Sequence, residues 1–372
     1  MGSKQAVVVG AGLAGLSAAI SARRLGYEVT VLNMFSREGG VPQSYPTVDA
    51  SPFDPDLVSR WLGVPIGEPY VAPAQEMRAY VFGQRFDIDP SLMGLHCIER
   101  GTRSTALDHY LYERAVEMGV SFEFDHPVFS RRELAELPPN TIIATGPYTE
   151  MFQLLDIPYE MAYGYVCRGV FKENGERSVK RICIAYFDRY TKDYAYIASA
   201  NGVFFGLLFS RSPVGEEEMA VWERQLAEQE GLSFSFKDLQ QGPFRSRRPS
   251  SPRLFSGDKI LAGTISGTQD PGTYFGAHGA LVSGKIAAIA LEDKAAAWEM
   301  FRYANRSYNL MWVGRRVAIN YAPDWLRKPL LERAMAAQAN PALARLGGLA
   351  FRWMIPGYLL LKRRMERYAR WL

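Results

Sequence analysis

Hydrophobic and polar positions change rhythm three times along the chain. Residues 5–10, QAVVVG, are a short apolar run of the kind a parallel sheet buries on both faces. LAGLSAAISARRLG, 13–26, puts small and apolar residues at helical spacing and stops at a glycine; YEVTVLN, 27–33, returns to strand. RSTALDHYLYERAVEMG, 103–119, predicts an amphipathic helix, with VSFEFD and NTIIATG as candidate strands after it. From 163 the character changes. YGYVCRGVF, RICIAYFD, YAYIAS and VFFGLLF are short, aromatic and β-branched. Turn residues at Glu173-Asn174-Gly175, Thr191-Lys192-Asp193 and Asn201-Gly202 separate them, which predicts an antiparallel sheet. A charged helix over 215–231 and a Pro/Arg/Ser-rich connection over 242–259 follow. From Ile260 a short apolar strand passes through glycines and small polar residues into an alanine-rich helix over 277–290, and beyond 295 the pattern is helical. The order predicts an α/β domain interrupted by an inserted antiparallel sheet.

The first turn gives that domain a chemistry. Gly10, Gly12 and Gly15 form G-x-G-x-x-G between a strand and a helix, with a second strand behind. Gly10 permits the tight turn, Gly12 lets a pyrophosphate approach the backbone, and Gly15 lets helix and strand pack closely. Ala11, Leu13 and Ala14 complete the cradle, whose free N–H groups favour an anion. A dinucleotide is the ligand this arrangement suits. The second strand ends at Asn33, where an acid would ordinarily accept from the ribose hydroxyls; the amide still hydrogen-bonds a diol but brings no charge.

Composition adds limits. In 372 residues, 48% hydrophobic and 22% charged, there is material for two or three domains with a large core. Cys97, Cys167 and Cys183 show no paired spacing and no His/Cys cluster, which argues against disulfides and a metal site and fits a reducing, cytoplasmic setting. The start runs directly into the strand and glycine loop, leaving no room for a signal peptide. From Pro341 onward seven Lys/Arg face one acid, Glu366, so the net charge of +4 belongs to that end and nucleic acid need not be invoked.

The second glycine segment carries a resemblance. Gly263-Thr264-Ile265-Ser266-Gly267, Asp270-Pro271, Gly276, Ala280, Ser283-Gly284 and Ala287-Ala288 match, in spacing, a segment of the flavoprotein monooxygenase superfamily. The chain most resembles its geranylgeranyl-reductase-like branch, with flavin-dependent halogenases as near relatives. In that superfamily the N-terminal glycine loop binds the ADP half of FAD, and the second segment wraps the ribityl and flavin half. Glu99-Arg100 followed by Ala106-Leu107-Asp108, Leu111, Ala115 and Gly119 is similar to a family stretch whose Arg approaches the flavin. Ala144-Thr145-Gly146 is similar to the flavoprotein A-T-G strand end, and Gly40-Val41-Pro42 to the loop after the second strand. Two departures stand out: Thr264 replaces the Asp that hydrogen-bonds the ribityl chain, and Asn33 replaces the ribose acid.

The resemblance implies an α/β fold with a Rossmann-like FAD-binding domain of the GR2 type, an inserted antiparallel substrate sheet and a C-terminal helical region. The expected boundaries are 1–75, 98–150 and 250–296 for the FAD domain, 76–97 and 151–249 for the sheet, and 297–372 for the helices. FAD contacts are expected from the first cradle, Asn33, Arg100, Thr145, Gly146, Gly263, Thr264, Pro271, Gly276 and Ala277. Tyr163, Tyr165, Tyr194, Tyr196, Phe204 and Phe205 are expected to form a substrate wall, although period-two aromatics are more often plain core. His278, inside the first turn of the cofactor helix, is the leading ionisable residue, with Tyr274 and Asp270 as second candidates; a helix-start histidine bonded to backbone is the plain alternative.

The implied activity is an FAD-dependent oxidoreductase reducing an apolar, isoprenoid-like lipid by hydride transfer from flavin N5, with NAD(P)H or a ferredoxin as donor. A flavin monooxygenase or halogenase acting on an aromatic compound, and a non-catalytic protein on a degenerate FAD fold, are the alternatives. The end of the chain, from 343, pairs an apolar run with a basic, tryptophan-bearing tail. Arg352 and Pro356 interrupt it, so it reads as an interfacial helix on the inner face of a membrane or as a helix packed on the FAD domain.

Overall fold

A computed structural model describes residues 4–40, 45–170, 180–245, 252–270 and 272–372. The turn Glu173-Asn174-Gly175, Val41-Pro42 and Pro271 lie outside the described residues.

The apolar run at the start becomes the strand Lys4–Val9, paired in parallel with Tyr27–Leu32 on one side and Ile142–Ile143 on the other. These three strands and Ser121–Glu123 are parallel neighbours; Lys259–Leu261 extends the parallel sheet past Ile142–Ile143 and Phe255–Ser256 closes its edge antiparallel. One sheet thus draws on three distant stretches of chain. Helix Leu13–Arg24 follows the first strand and packs along helix Ala277–Ile289. Small residues permit the close approach: a Cβ on Gly284 would meet the Ala14 carbonyl at 2.3 Å.

The aromatic segments form a seven-stranded sheet in the order 236–245, 159–170, 203–210, 195–200, 182–187, 76–81, 84–88, antiparallel except where Ile182–Phe187 runs parallel to Glu76–Val81. Helix Glu216–Glu230 covers its outer face through Trp222 and Leu226. A three-stranded sheet, Thr47–Pro52, Val71–Pro73 and Leu95–Arg100, brackets the hairpin Glu76–Ile88 of the larger sheet in the chain and is not evident from the sequence pattern.

The C-terminal stretch divides its apolar residues. Leu360, Leu361, Met365 and Tyr368 are buried in the main core. These four side chains are therefore spent against the first domain, while Arg364 and Arg370 pair with Glu299 on helix Lys294–Ala304 and with its N-cap Asp293. Among the described residues no helix is long and apolar enough to cross a membrane.

Candidate cofactor cavity

The two glycine segments, some two hundred and fifty residues apart, line one cavity of about 290 Å³. Gly10 to Ala14 form one wall, Asn33 to Phe35 the tip of the second strand, and Ala144, Thr145 and Gly146 the strand end beside it. Gly263, Thr264, Gly276 and Ala280 come from the second segment, and Tyr45, Thr47 and Arg100 from the three-stranded sheet and the loop before it.

The three glycines of the first loop divide their work. A Cβ on Gly10 would lie 2.6 Å from the Ala144 carbonyl, and one on Gly15 only 1.8 Å from the Gly10 carbonyl. A Cβ on Gly12 would meet nothing within 4 Å. Gly10 and Gly15 serve packing; Gly12 faces open space at the N-terminus of helix Leu13–Arg24, whose first turn holds no acid to occupy the dipole. Gly146 is likewise open, at a φ of 67°. Thr145 Oγ1 is buried with no hydrogen-bond partner among the described residues, although its side chain lines the cavity. An orphaned buried hydroxyl calls for a polar ligand atom. Open glycine backbone, a bare helix start and an orphaned hydroxyl together fit a nucleotide carrying phosphates. Ser283 steadies the other side: its Oγ accepts from Gly263 N at 2.9 Å and donates to the Ala280 carbonyl.

Arg100 enters this cavity as a built cation. Its Nε and Nη2 donate to Asp108 at 2.6 and 2.9 Å, and Asp108 also accepts from Gly101 N. Nη1 lies 3.5 Å from Asp49 Oδ2. Burial alone would lower the arginine pKa, but the Asp108 charge and hydrogen bonds outweigh it, so the guanidinium stays charged. Burial pushes the Asp49 carboxyl up, against the pull of Arg100. Tyr45, whose hydroxyl accepts from Gly40 N, is also raised by burial. Asp49, Tyr45 and Thr47 have no signature in the sequence. The Arg100–Asp108 pair does: both residues sit in the segment that carries the resemblance.

Several expected contacts are corrected. Asn33 lines the cavity, but its Nδ2 donates to the Phe35 and Arg37 carbonyls and its Oδ1 accepts from Ala11 N, so it braces the two loops instead of offering a donor to a ribose. Ala277 turns into the main core, one position from Gly276. Asp270 is fully buried and accepts from Gly272 N and the Thr273 hydroxyl; it shapes its own loop and is not a proton donor facing the cavity. Tyr274 sits at a φ of 60° with its ring 4.9 Å from that of Phe209, in an aromatic cluster rather than at the cavity wall.

His278 also turns away. Its Nδ1 lies 3.0 Å from the Pro356 carbonyl, and its ring packs edge-on to Phe53 and beside Tyr358. A carbonyl only accepts, so Nδ1 carries the proton and Nε2 is bare; Nε2 has no partner among the described residues. Burial lowers the imidazole pKa to about 4. The unfolded chain takes up this proton near pH 6.5, the native state only near pH 4. Stability is therefore complete above the unfolded value and is lost on acidification between the two, by roughly 3 kcal/mol. Urea unfolding across that window is expected to show the slope, and His278→Gln to flatten it; an unchanged slope in the variant would refute this reading.

The six aromatic residues do not share one wall. Tyr194, Tyr196 and Phe205 face the cluster that also takes Tyr274 and Phe275 from the cofactor loop, with Tyr196 and Phe275 ring centres 5.7 Å apart. Tyr165 and Phe204 alternate onto the outer face beneath Trp222, where the Tyr165 hydroxyl meets Glu223. Tyr163 is two residues from Tyr165 in the same strand, half-buried, and outside the inner cluster.

The pattern of an NAD(P)-binding Rossmann-like domain matches residues 8–62. No curated protein matches the sequence. Solved structures match along nearly the whole chain. A geranylgeranyl bacteriochlorophyll reductase-like protein from Thermoplasma acidophilum is 12% identical with a TM-score of 0.68, covering 100% of both chains. p-Nitrophenol 4-monooxygenase from Pseudomonas putida is 11% identical with a TM-score of 0.67, covering 95% of this chain and 99% of its own. CtdE, solved in complex with FAD, is 14% identical with a TM-score of 0.57, covering 91% and 99%. The fold is the one these solved proteins share, one of them holding FAD, and its start matches the Rossmann-like pattern.

Proposed function

We propose that the chain is an FAD-dependent oxidoreductase that reduces an apolar, isoprenoid-like lipid. One observation carries the cofactor: two glycine segments from opposite ends of the sequence line a single cavity whose open backbone sits at a helix N-terminus. Gly12, Leu13 and Ala14 would hold the pyrophosphate on the helix start, and Thr145 Oγ1 and the Gly263–Thr264 backbone would take further polar atoms. When bound, FAD supplies hydride or electron transfer at its ring. Arg100, kept charged by Asp108, favours negative charge where it enters the cavity. Tyr194, Tyr196, Phe205, Tyr274 and Phe275 form an aromatic cluster that suits an apolar substrate. With His278 turned away, Asp49 is the acid to test: it follows the cavity-lining Thr47 on the same strand face, and burial holds its proton more tightly than usual.

Two spectra test the cofactor. Purified protein is expected to show oxidised-flavin absorbance, and the supernatant after heating to retain it. Protein that stays colourless after added FAD would end the reading. Oxygenation of an aromatic compound is the second reading, favoured by the equally good match of a monooxygenase fold. Anaerobic reoxidation of the reduced protein by prenyl lipids supports reduction; reoxidation needing oxygen and an aromatic substrate supports the second reading.

A further inference from the structure

We infer that the helical hairpin near the C-terminus, Asp324–Ala339 and Pro341–Met354, is a docking surface for an anionic lipid bilayer. Among the described residues, nine of the fourteen exposed large hydrophobic side chains fall between Leu310 and Trp353. Single exposed apolar residues are ordinary, but a whole exposed helix face is not. In Pro341–Met354, Ala344, Gly348 and Phe351 face inward, Gly348 packing on the Leu92 backbone. The opposite face carries Ala342, Leu343, Leu346, Leu349, Ala350 and Trp353 and no polar residue, with Leu346 68% exposed. In Asp324–Ala339, Arg327, Leu331 and Met335 turn inward, while Leu326 and Leu330 share an outer stripe and Trp325 stands 78% exposed beside it. A soluble helix is polar on its outer face; Pro341–Met354 is apolar there, and Asp324–Ala339 mixes Trp325, Leu326 and Leu330 with Arg333.

Charge selects the occupant. The hairpin, residues 324–354, contains five Lys/Arg, of which Arg327 is buried, and two acids, Asp324 and Glu332. Exposed Arg333 lies one heptad from Leu326, on its stripe, and exposed Arg345 flanks the apolar face of the second helix. Apolar side chains between arginines and tryptophans complement anionic headgroups above acyl chains, whereas a second copy of this chain would bring its own positive hairpin against this one. The placement has a use. The inner side of the hairpin, through Leu331, Met335 and Phe351, covers the aromatic cluster of Tyr196, Phe205 and Phe209. A lipid leaving the bilayer would meet this wall first. The docking surface stands on exposure and charge and holds with or without a flavin.

Co-sedimentation of the full chain with phosphatidylcholine vesicles, with and without phosphatidylglycerol, tests it. Binding is expected to be at least about tenfold stronger with the anionic lipid and to weaken with salt. Leu343→Glu/Leu346→Glu is expected to lose at least about tenfold with its thermal unfolding unchanged, since both side chains are exposed. Should the glutamates unfold the chain, Leu343→Ser/Leu346→Ser gives the same readout. Three results would overturn the inference: no preference for anionic vesicles, binding that survives these variants but is lost in Lys362→Glu/Arg363→Glu on the tail, or a dimer in vesicle-free solution that the leucine variants abolish. Vesicle binding by a colourless protein would count against the flavin reading alone.

Discussion

Gly15→Ala is expected to cost the first domain its fold, and Gly12→Ala to leave the fold intact and remove flavin binding. The two positions are three residues apart and differ in what a methyl group meets. At Gly15 it would overlap the Gly10 carbonyl at 1.8 Å. Both atoms are fixed, the carbonyl by the turn and the Cα by helix Leu13–Arg24 against Ala277–Ile289, so no flexible side chain moves aside. Backbone overlap in a packed interface belongs to the severe class, above about 4 kcal/mol. At Gly12 a methyl meets nothing within 4 Å, and φ −86°, ψ −177° suits any L-residue. The flavin-free protein should keep its unfolding midpoint to within about 0.5 kcal/mol. The added methyl then stands where the phosphates must approach bare backbone, and affinity should fall by at least about a hundredfold. Thermal unfolding and flavin titration of both variants decide the matter. A Gly12→Ala protein that purifies yellow would show that the cavity does not hold the cofactor this way.

The same loop shows what was legible in the sequence. Glycine spacing, a strand before and a helix after need only local chain; a Cβ would meet the Ala144 carbonyl at Gly10, the Gly10 carbonyl at Gly15 and nothing at Gly12. Alternation in the aromatic segments likewise gave an antiparallel sheet. What failed was direction. Period two says that Tyr194 and Tyr196 share a face, but not which face of each strand turns inward; helix Glu216–Glu230, whose Trp222 covers Tyr165, decides that. His278 failed for a related reason. Position in a first turn gives no azimuth, and Gly276 and Ala280 line the cavity while His278 points to Pro356, seventy-eight residues later. Asn33 looked like a weakened ribose ligand until its three hydrogen bonds placed it as a loop brace. Tyr45, Thr47 and Asp49 were silent because a three-stranded sheet built from short, mixed segments brings them to Arg100.

That arginine yields the second large effect. Asp108→Asn should destabilise the protein by about 3–5 kcal/mol, the cost of removing one partner from a buried pair. Asp108 is wholly buried and accepts three hydrogen bonds, two from Arg100 and one from Gly101 N. An asparagine keeps one oxygen and turns N–H donors toward a guanidinium that has only donors. Asp49, 3.5 Å from Nη1, then becomes the remaining counter-ion. This change has a signature that plain destabilisation lacks. In the native protein Asp49 is raised, first by burial and further by the Asp108 charge. An acid raised on folding binds its proton more tightly in the native state, so it removes stability as pH climbs through the carboxylate range. Without Asp108 that repulsion is gone and Arg100 is Asp49's alone; its pKa should drop, and the stability it removes as pH climbs should shrink. Urea midpoints of both proteins, followed from neutral pH down through the carboxylate range, compare the two slopes. A variant less than about 1 kcal/mol weaker, with the parent's pH slope, would mean that Arg100 is held by solvent and not by this pair. Since Arg100 also lines the cavity, the variant should bind flavin more weakly in proportion to how far the guanidinium swings toward Asp49.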